Sequence, residues 1–416
     1  MKRKDNLGYD SRKNELDKSI RMMIEDEDRQ LFAEQEAARF KFSNERRRMV
    51  MLLVILIVVT FLSIFFVANF LYGNMSIAYY AKNVMSRFND LIDLLLGNHL
   101  ESAIGYWIME FFTPIIAGLV LAVAGASFQG IFHNPMASPT LLGIQSGGTL
   151  GSSIYIMFFY TPMLTPMLGA YDYDIYAVEY STMTAMQKYG QYLFTLIGCV
   201  AVVMIIMLMS KIAGRGKINT VTLMVGGTIF AGAISSVINL FIYYESTSGS
   251  NSSAAEEMQS MQSGSFTTIV DANVMLAFVI TALIPFVIAI ICRNRLNVIS
   301  FGEDEARVLG VDIGKSRFLF ILLSTLLTAS VITFAGNIAF IGLIVPHLAR
   351  QIVGNDYKQL LPASAILGAL FMLLAYDFSY MFNHFMNTGG IIGVFGSVIF
   401  FLSMIRYRRQ GNADWA

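Results

Sequence analysis

Charge is what most of this 416-residue chain has least of. Residues 1–48 hold 13 Lys+Arg and 11 Asp+Glu, leaving 34 of the 58 charged residues for the other 368 positions. So thin a covering cannot coat a water-soluble globule of that size. Cysteine is nearly absent as well. Cys199 and Cys292 both fall in or beside apolar runs, which excludes a disulfide-stapled secreted module and a cysteine-built zinc site. The four histidines (His99, His133, His347, His384) form no H-E-x-x-H pair, so zinc-protease chemistry has no ligands. No G-x-S-x-G elbow is present. Tyr376-Asp377 lacks the Gly-x-Gly-Asp that would bring a second carboxylate to an intramembrane protease. Gly214-Arg215-Gly216-Lys217 has Lys211 and Ile218 where a phosphate loop needs Gly and Ser/Thr. The chain is therefore expected to be no enzyme, to hydrolyse no nucleotide itself, and to bind no metal or cofactor directly.

What it has in abundance is apolar length. Hydrophobic residues make up 55% of the chain and the mean hydropathy is +0.58. Met49–Leu71 is 23 residues without a charge, enough to cross roughly 30 Å of hydrocarbon as a helix. The charged stretch before it is far longer than the n-region of a signal peptide, so no cleavable signal is expected. Apolar runs near 49–71, 110–131, 140–160, 191–211, 220–243, 272–292, 317–335, 338–353, 361–381 and 389–406 predict ten spans. Phe318–Ala349 is too short for two full spans and a turn, so one helix there should be short or broken at Gly336-Asn337.

Placing the N-terminus inside puts 13 of the 16 remaining Lys+Arg on the inner side; Lys82, Arg87 and Lys188 are the exceptions. An odd number of spans would strand Arg406, Arg408 and Arg409 on the wrong face. The prediction is an all-α integral membrane protein in three parts. They are a charged cytoplasmic tail (1–48), a ten-span domain (49–407) and a short cytoplasmic C-terminal tail (408–416). The N-terminal tail reads either as a solvated helix or as a docking segment. The outer face is acidic, with Glu110, Asp172 and Asp174 among its carboxylates. Outer loops should include an amphipathic piece at Val84–Leu96 and a flexible polar stretch at Glu245–Ser253.

Gly118, Ala122, Ala126 and Gly130 lie four apart on one helix face, and Gly143, Gly147 and Gly151 do the same on the next. Small residues let helices approach closely in lipid; they read as packing seams or as the thin wall of a conduit. Asp377, costly at mid-bilayer, reads either as a helix-end residue or as a path-lining or structural acid.

Two stretches carry a family resemblance. Residues 117–153 contain Gly125-Ala126, Gln129-Gly130, Asn134-Pro135, Ala137, Pro139, Leu142-Gly143 and Gly147. They are similar to the G-A-x-x-Q-G-x-x-x-N-P-x-A-x-P-x-x-L-G-x-x-x-G-A signature of the iron-siderophore, haem and cobalamin (FecCD-like) ABC importer permeases. Residues 302–362, from Gly302-Glu303-Asp304-Glu305-Ala306-Arg307-Val308-Leu309-Gly310 through Val345-Pro346-His347 to Leu360-Leu361-Pro362, resemble that family's second signature.

The resemblance implies a type II importer architecture with a second permease copy or a paralogue. It implies a cytoplasmic ABC ATPase dimer that uses ATP and Mg, an extracytoplasmic substrate-binding (lipo)protein and surrounding membrane lipid, with no nucleic acid. Gly302, Glu303, Asp304, Glu305, Ala306, Arg307, Leu309 and Gly310 would couple to the ATPase, and Ile218, Asn219 and Thr220 would form a cytoplasmic gate. Gln129, Asn134, Pro135, Gly143, Gly147, Gly226, Gly227, Ser235 and Asn239 would line the translocation path. The cargo implied is an iron chelate, with haem and cobalamin open. An ion-coupled secondary transporter is the rival, but apart from Asp377 its mid-membrane charges are missing.

The chain departs from the family pattern where the binding protein docks. The usual R-L-P-R is replaced by Met109-Glu110-Phe111-Phe112-Thr113-Pro114, and E-x-P-x-G by Asn387-Thr388-Gly389-Gly390-Ile391-Ile392-Gly393. Docking through Glu110, Lys82 and Arg87 is the expectation that follows.

Overall fold

A computed structural model describes residues 47–60, 62, 103–159, 185–214, 220–248, 252–266, 272–300, 302–381 and 387–409. The chain divides into two units, Met1–Leu53 and Val54–Ala416, and every helix labelled below lies in the second. Residues 47–60 are helical. Then come α1 (Ala103–Phe132), a 3-10 turn (Pro139–Leu142), α2 (Ile144–Phe159), α3 (Ala185–Ala213) and α4 (Thr220–Ser248). They are followed by α5 (Ser252–Ser263), α6 (Ala272–Ile291), α7 (Arg293–Ser300) and α8 (Glu303–Val308). The last four are α9 (Ile313–Ala335), α10 (Ile341–Val353), α11 (Tyr357–Met381) and α12 (Thr388–Arg409). There is no strand among the described residues. In hydrocarbon only a helix satisfies its own backbone.

Helices α1, α3, α4, α9 and α11 are each long and apolar enough to cross a membrane, and α6 with α7 forms a bent pair that passes together. The shorter apolar helices are α10 and the first part of α12. Burial ranks them: α1 and α9 are enclosed nearly all round, whereas α4 leaves most of its surface open.

The glycine seams explain the close packing. A Cβ at Gly118 would run into the Gly368 carbonyl, one at Gly125 into Gly342, and one at Gly130 into the Tyr357 ring. Gly118 meets Gly368 while Gly130 meets Tyr357, so α1 and α11 run antiparallel with their backbones almost touching. In the same way Gly147 faces Gly198 and Gly151 faces Phe194, locking α2 antiparallel to α3. Hydroxyls in α9 turn back onto their own backbone, as Thr325 does to the Ile321 carbonyl (2.7 Å) and Thr328 to the Ser324 carbonyl (2.8 Å). Asp377 is half-buried in the last two turns of α11.

The break expected at Gly336-Asn337 is there. Helix α9 stops at Ala335, Gly336 takes φ +62°, Phe340 takes φ +68°, and α10 is only 13 residues long. The non-helical backbone between them is held by α5 and its end. Asn337 N–H donates to the Met261 carbonyl (2.8 Å), and the end of α5 is tied in turn to α12, where Gly389 N–H donates to the Gly264 carbonyl (2.7 Å).

One reading needs correction. Within Glu245–Ser253, expected as a flexible polar stretch, residues 245–248 continue α4 and 252–253 open α5, with Glu245 buried, while 249–251 lie outside the described residues. The reason is periodicity hidden under a polar composition. Ala254, Met258 and Met261 recur on one face of α5 and are fully buried, which docks the helix on α2 and α4. Nearly all of the N-terminal tail, Val84–Leu96, Asp172, Asp174 and the end of the C-terminal tail lie outside the described residues.

Candidate functional site

The second signature builds a compact feature at one end of the bundle. Helix α6 ends at Ile291 and the chain bends by 50° into α7. Helix α7 is polar in sequence, yet Leu296 and Ile299, three apart, are fully buried against α1 and α11. Beyond it, Gly302 sits at φ +130°, where the Glu305 carboxylate folds back over it, and Gly310 sits at φ +77°. Both angles favour glycine. They turn the chain sharply on either side of the six-residue α8.

Within α8, Ala306 points inward and is fully buried, whereas Val308 is 89% exposed and Leu309, just beyond it, 63% exposed. Two neighbouring apolar side chains thus stand out from a short helix that packs on its chain neighbours α7 and α9. Asp312 then caps α9, accepting the Lys315 N–H (3.0 Å) and pairing with its ammonium (3.3 Å). The Lys315 backbone N–H is the main cause that holds its carboxyl below the ordinary value.

Behind this feature lies a polar network between four helices, α1, α7, α10 and α11. Gln129, buried near the end of α1, donates to the Leu343 carbonyl (3.1 Å) and accepts from the Arg350 guanidinium. Arg350 also reaches the Tyr357 hydroxyl (3.2 Å). Asn297 on α7 accepts the Tyr357 N–H and donates to Asp356, each at 2.7 Å. His133 Nε2 donates to the Ile299 carbonyl. Nothing in residue type or spacing marks Asn297, Asp356 or Tyr357 in advance; their importance comes from a contact spanning about sixty positions of chain.

The residues expected to line the path differ in their surroundings. Gln129, Gly143, Gly147 and Gly227 sit in tight contacts: Gly147 against Gly198 and Val202, Gly227 against the Leu141 carbonyl, Gly143 beside Gly227 at φ +68°. The Asn134 side chain accepts the Met136 N–H (2.9 Å) and reaches the Met224 sulfur (3.5 Å), with Pro135 in the same turn. Gly226 instead meets nothing within 4 Å, Asn239 is exposed, and Ser235 is half-buried, all on the open helix α4. Thr220 is the first residue of α4, while Ile218 and Asn219 lie outside the described residues, as do Lys82 and Arg87. Glu110 falls within α1. The described residues contain no His/Cys/Asp/Glu cluster able to hold a metal ion.

A helical bundle of long apolar spans, bearing an exposed helical knob on a buried elbow, is the architecture of a polytopic membrane permease. Residues 55–406 match the family model described as the FecCD transport family, and the chain belongs to that family. Among its relatives is the probable siderophore transport system permease protein YfhA of Bacillus subtilis. It is 31% identical over 267 residues, 63% of this chain and 69% of that one. The hemin transport system permease protein HmuU of Yersinia pestis is 28% identical over 298 residues, 71% of this chain and 80% of its own. A solved transporter described as metal-chelate type ABC, in an inward-facing conformation, superposes with a TM-score of 0.64 at 22% identity. That match covers 87% of this chain and 99% of the other, and carries the fold.

Proposed function

We propose that this chain is the translocating subunit of an ATP-driven importer that carries an iron chelate of the siderophore class across the cytoplasmic membrane. The observation that carries the reading is α8. Val308 and Leu309 stand exposed on a short helix whose ends are turned by Gly302 and Gly310, and whose inner face is seated by Ala306. An apolar pair presented in this way suits a groove on a soluble partner, here a cytoplasmic ABC ATPase dimer that burns ATP with Mg. The exposed Glu305 and Arg307 supply polar groups beside it, in the same coupling segment as Glu303 and Asp304.

In this reading ten helices span the membrane with both termini inside, and two permease chains, identical or paralogous, enclose the path. The open side of α4, with Gly226, Ser235 and Asn239, faces that path. Gln129, Gly143, Gly147 and Gly227 hold the wall behind it, with Asn134 and Pro135 at its end. Ile218, Asn219 and Thr220 close the inner mouth. A binding protein docks outside near Glu110, Lys82 and Arg87. Weak, distributed contacts suit a bulky chelate, because a tight site would trap it. Haem is the second cargo, favoured by the 28% identity to a hemin permease.

Proteoliposomes decide between these readings. Uptake of a radioiron-loaded trihydroxamate siderophore that requires ATP and the ATPase partner supports the proposal, and uptake of hemin instead transfers it to haem. Uptake driven by an ion gradient without ATP sinks it. Leu309→Glu should abolish ATP-driven uptake while leaving the chain folded in the membrane.

A further inference from the structure

Helix α7 lies between the knob at α8 and the tightly packed pair α1 and α11, and its attachment to that pair is specific. The first turn of α11 needs acceptors for backbone donors that no helix can satisfy internally. Asp356 supplies most of them: its carboxylate takes the Lys358 N–H (2.9 Å), and its carbonyl takes those of Gln359 (3.0 Å) and Leu360 (2.8 Å). The Tyr357 N–H goes to the side-chain oxygen of Asn297, 2.7 Å away. The amide nitrogen of the same Asn297 donates to the Asp356 carboxylate, also at 2.7 Å.

Both ends of one amide are therefore committed, acceptor to the helix N–H and donor to the helix cap, so its orientation is fixed. On the other flank His133, at the end of α1, holds the Ile299 carbonyl. Leu296 and Ile299 add an apolar seat that resists withdrawal. Buried methyls alone would let a two-turn helix slide or roll, whereas the amide sets its register.

We propose that Asn297 is a positioning residue that pins α7 to the cap of α11. Displacement of α8 is then delivered to the α1–α11 pair as a rigid lever movement and not lost in a swivel at Gly302. This rests on the reading of α8 as the ATPase contact. The alternative is that α8 pivots on its two flanking glycines while α7 stays passive, in which case the amide of Asn297 contributes only to folding.

The complex with its ATPase partner, in proteoliposomes supplied with the trihydroxamate siderophore, separates the two. The readout is ATP hydrolysed per siderophore imported, alongside the thermal midpoint of the assembled complex. Asn297→Asp keeps the acceptor for Tyr357 N–H but sets a carboxylate against Asp356. Losing one hydrogen bond of ordinary net strength should raise the ATP cost per import by about fivefold. The double variant Asn297→Asp/Asp356→Asn restores a donor–acceptor pair in reverse and should return the ratio to near wild type. Asn297→Ala, which introduces no charge, should raise the ratio as well, and decides the matter if the aspartate variant fails to assemble.

A purely structural role would lower the thermal midpoint and reduce hydrolysis and transport together, leaving their ratio unchanged. A wild-type ratio in either single variant, or a double variant that stays uncoupled, overturns the lever. Absence of ATP-driven uptake in the wild-type complex overturns the functional reading instead, and is seen before any variant is compared.

Discussion

Two identical substitutions at Gly118 and Gly226 should act in opposite directions. At Gly118 an added methyl would meet the Gly368 carbonyl and sit 2.6 Å from the Met372 Cβ. The obstacle is the backbone of α11, which cannot rotate aside as a side chain would. Overpacking of this kind costs about 1–3 kcal/mol, and the upper half of that range applies where main chain must move. The intrinsic helix preference for Ala over Gly returns up to about 1 kcal/mol, leaving a net loss of about 1–2 kcal/mol. A Cβ added at Gly226 would meet no atom within 4 Å beyond its own helix turn, so only the gain of up to about 1 kcal/mol remains.

Unfolding of the isolated chain in mixed micelles, followed by circular dichroism against sodium dodecyl sulfate, should therefore separate Gly118→Ala from Gly226→Ala by about 2–3 kcal/mol, the difference of those two estimates. The double variant Gly118→Ala/Gly368→Ala supplies a second test. Once α1 and α11 have moved apart for one methyl the other has room, so the pair should cost less than the sum by at least about 0.5 kcal/mol. Equal stability for Gly118→Ala and Gly226→Ala, or strict additivity across the seam, would refute the close-approach account.

Three further outcomes follow from the polar groups. Gln129→Leu removes the acceptor for Arg350 and the donor to the Leu343 carbonyl, and should cost about 2 kcal/mol in the same titration; an unchanged midpoint contradicts it. Burial of Glu257 on α5 raises its carboxyl above the ordinary 4.5, against a lowering by Gln191. A raised acid stabilises the fold least once it must ionise, so wild-type stability should fall relative to Glu257→Gln as pH rises from 4.5 through the folded value. The opposite slope would refute it. Asp312, lowered chiefly by the Lys315 N–H, contributes stability above 3.8 that is lost as pH falls through its depressed folded value. Asp312→Ala should speed amide exchange in the first turn of α9, and exchange at the wild-type rate would discard the cap.

Apolar run length and turn chemistry located α1 to α4, α6 and α9 to α12 in the sequence, because hydrocarbon-compatible helices announce themselves by composition. The break at Gly336 was legible too, since 32 apolar residues cannot make two crossings and a turn. Helix α5 was not, because its serines, glutamates and glutamines mask the buried register of Ala254, Met258 and Met261. The segment of α8 was visible only through the family resemblance of Gly302–Gly310, and the exposure of Val308 and Leu309 was not, since exposure depends on what is absent from the neighbourhood. Least legible was the Asn297 contact. A side-chain amide meeting a helix cap about sixty residues later leaves no periodic trace, and the pairing exists only once α6 has bent and α11 has started.

Two peptide hydrogen bonds tie the end of α5 to its neighbours: Asn337 N–H, in the break between α9 and α10, to Met261, and Gly389 N–H, at the start of α12, to Gly264. Such a clasp demands glycine where the backbones meet: a Cβ at Gly264 would strike the Asn337 carbonyl, one at Gly336 the Met261 carbonyl, and one at Gly389 the Ser263 carbonyl. Adding or deleting a single residue between Met261 and Gly264 would put the two acceptors out of step with their two donors, so this corner should keep both its length and its glycines.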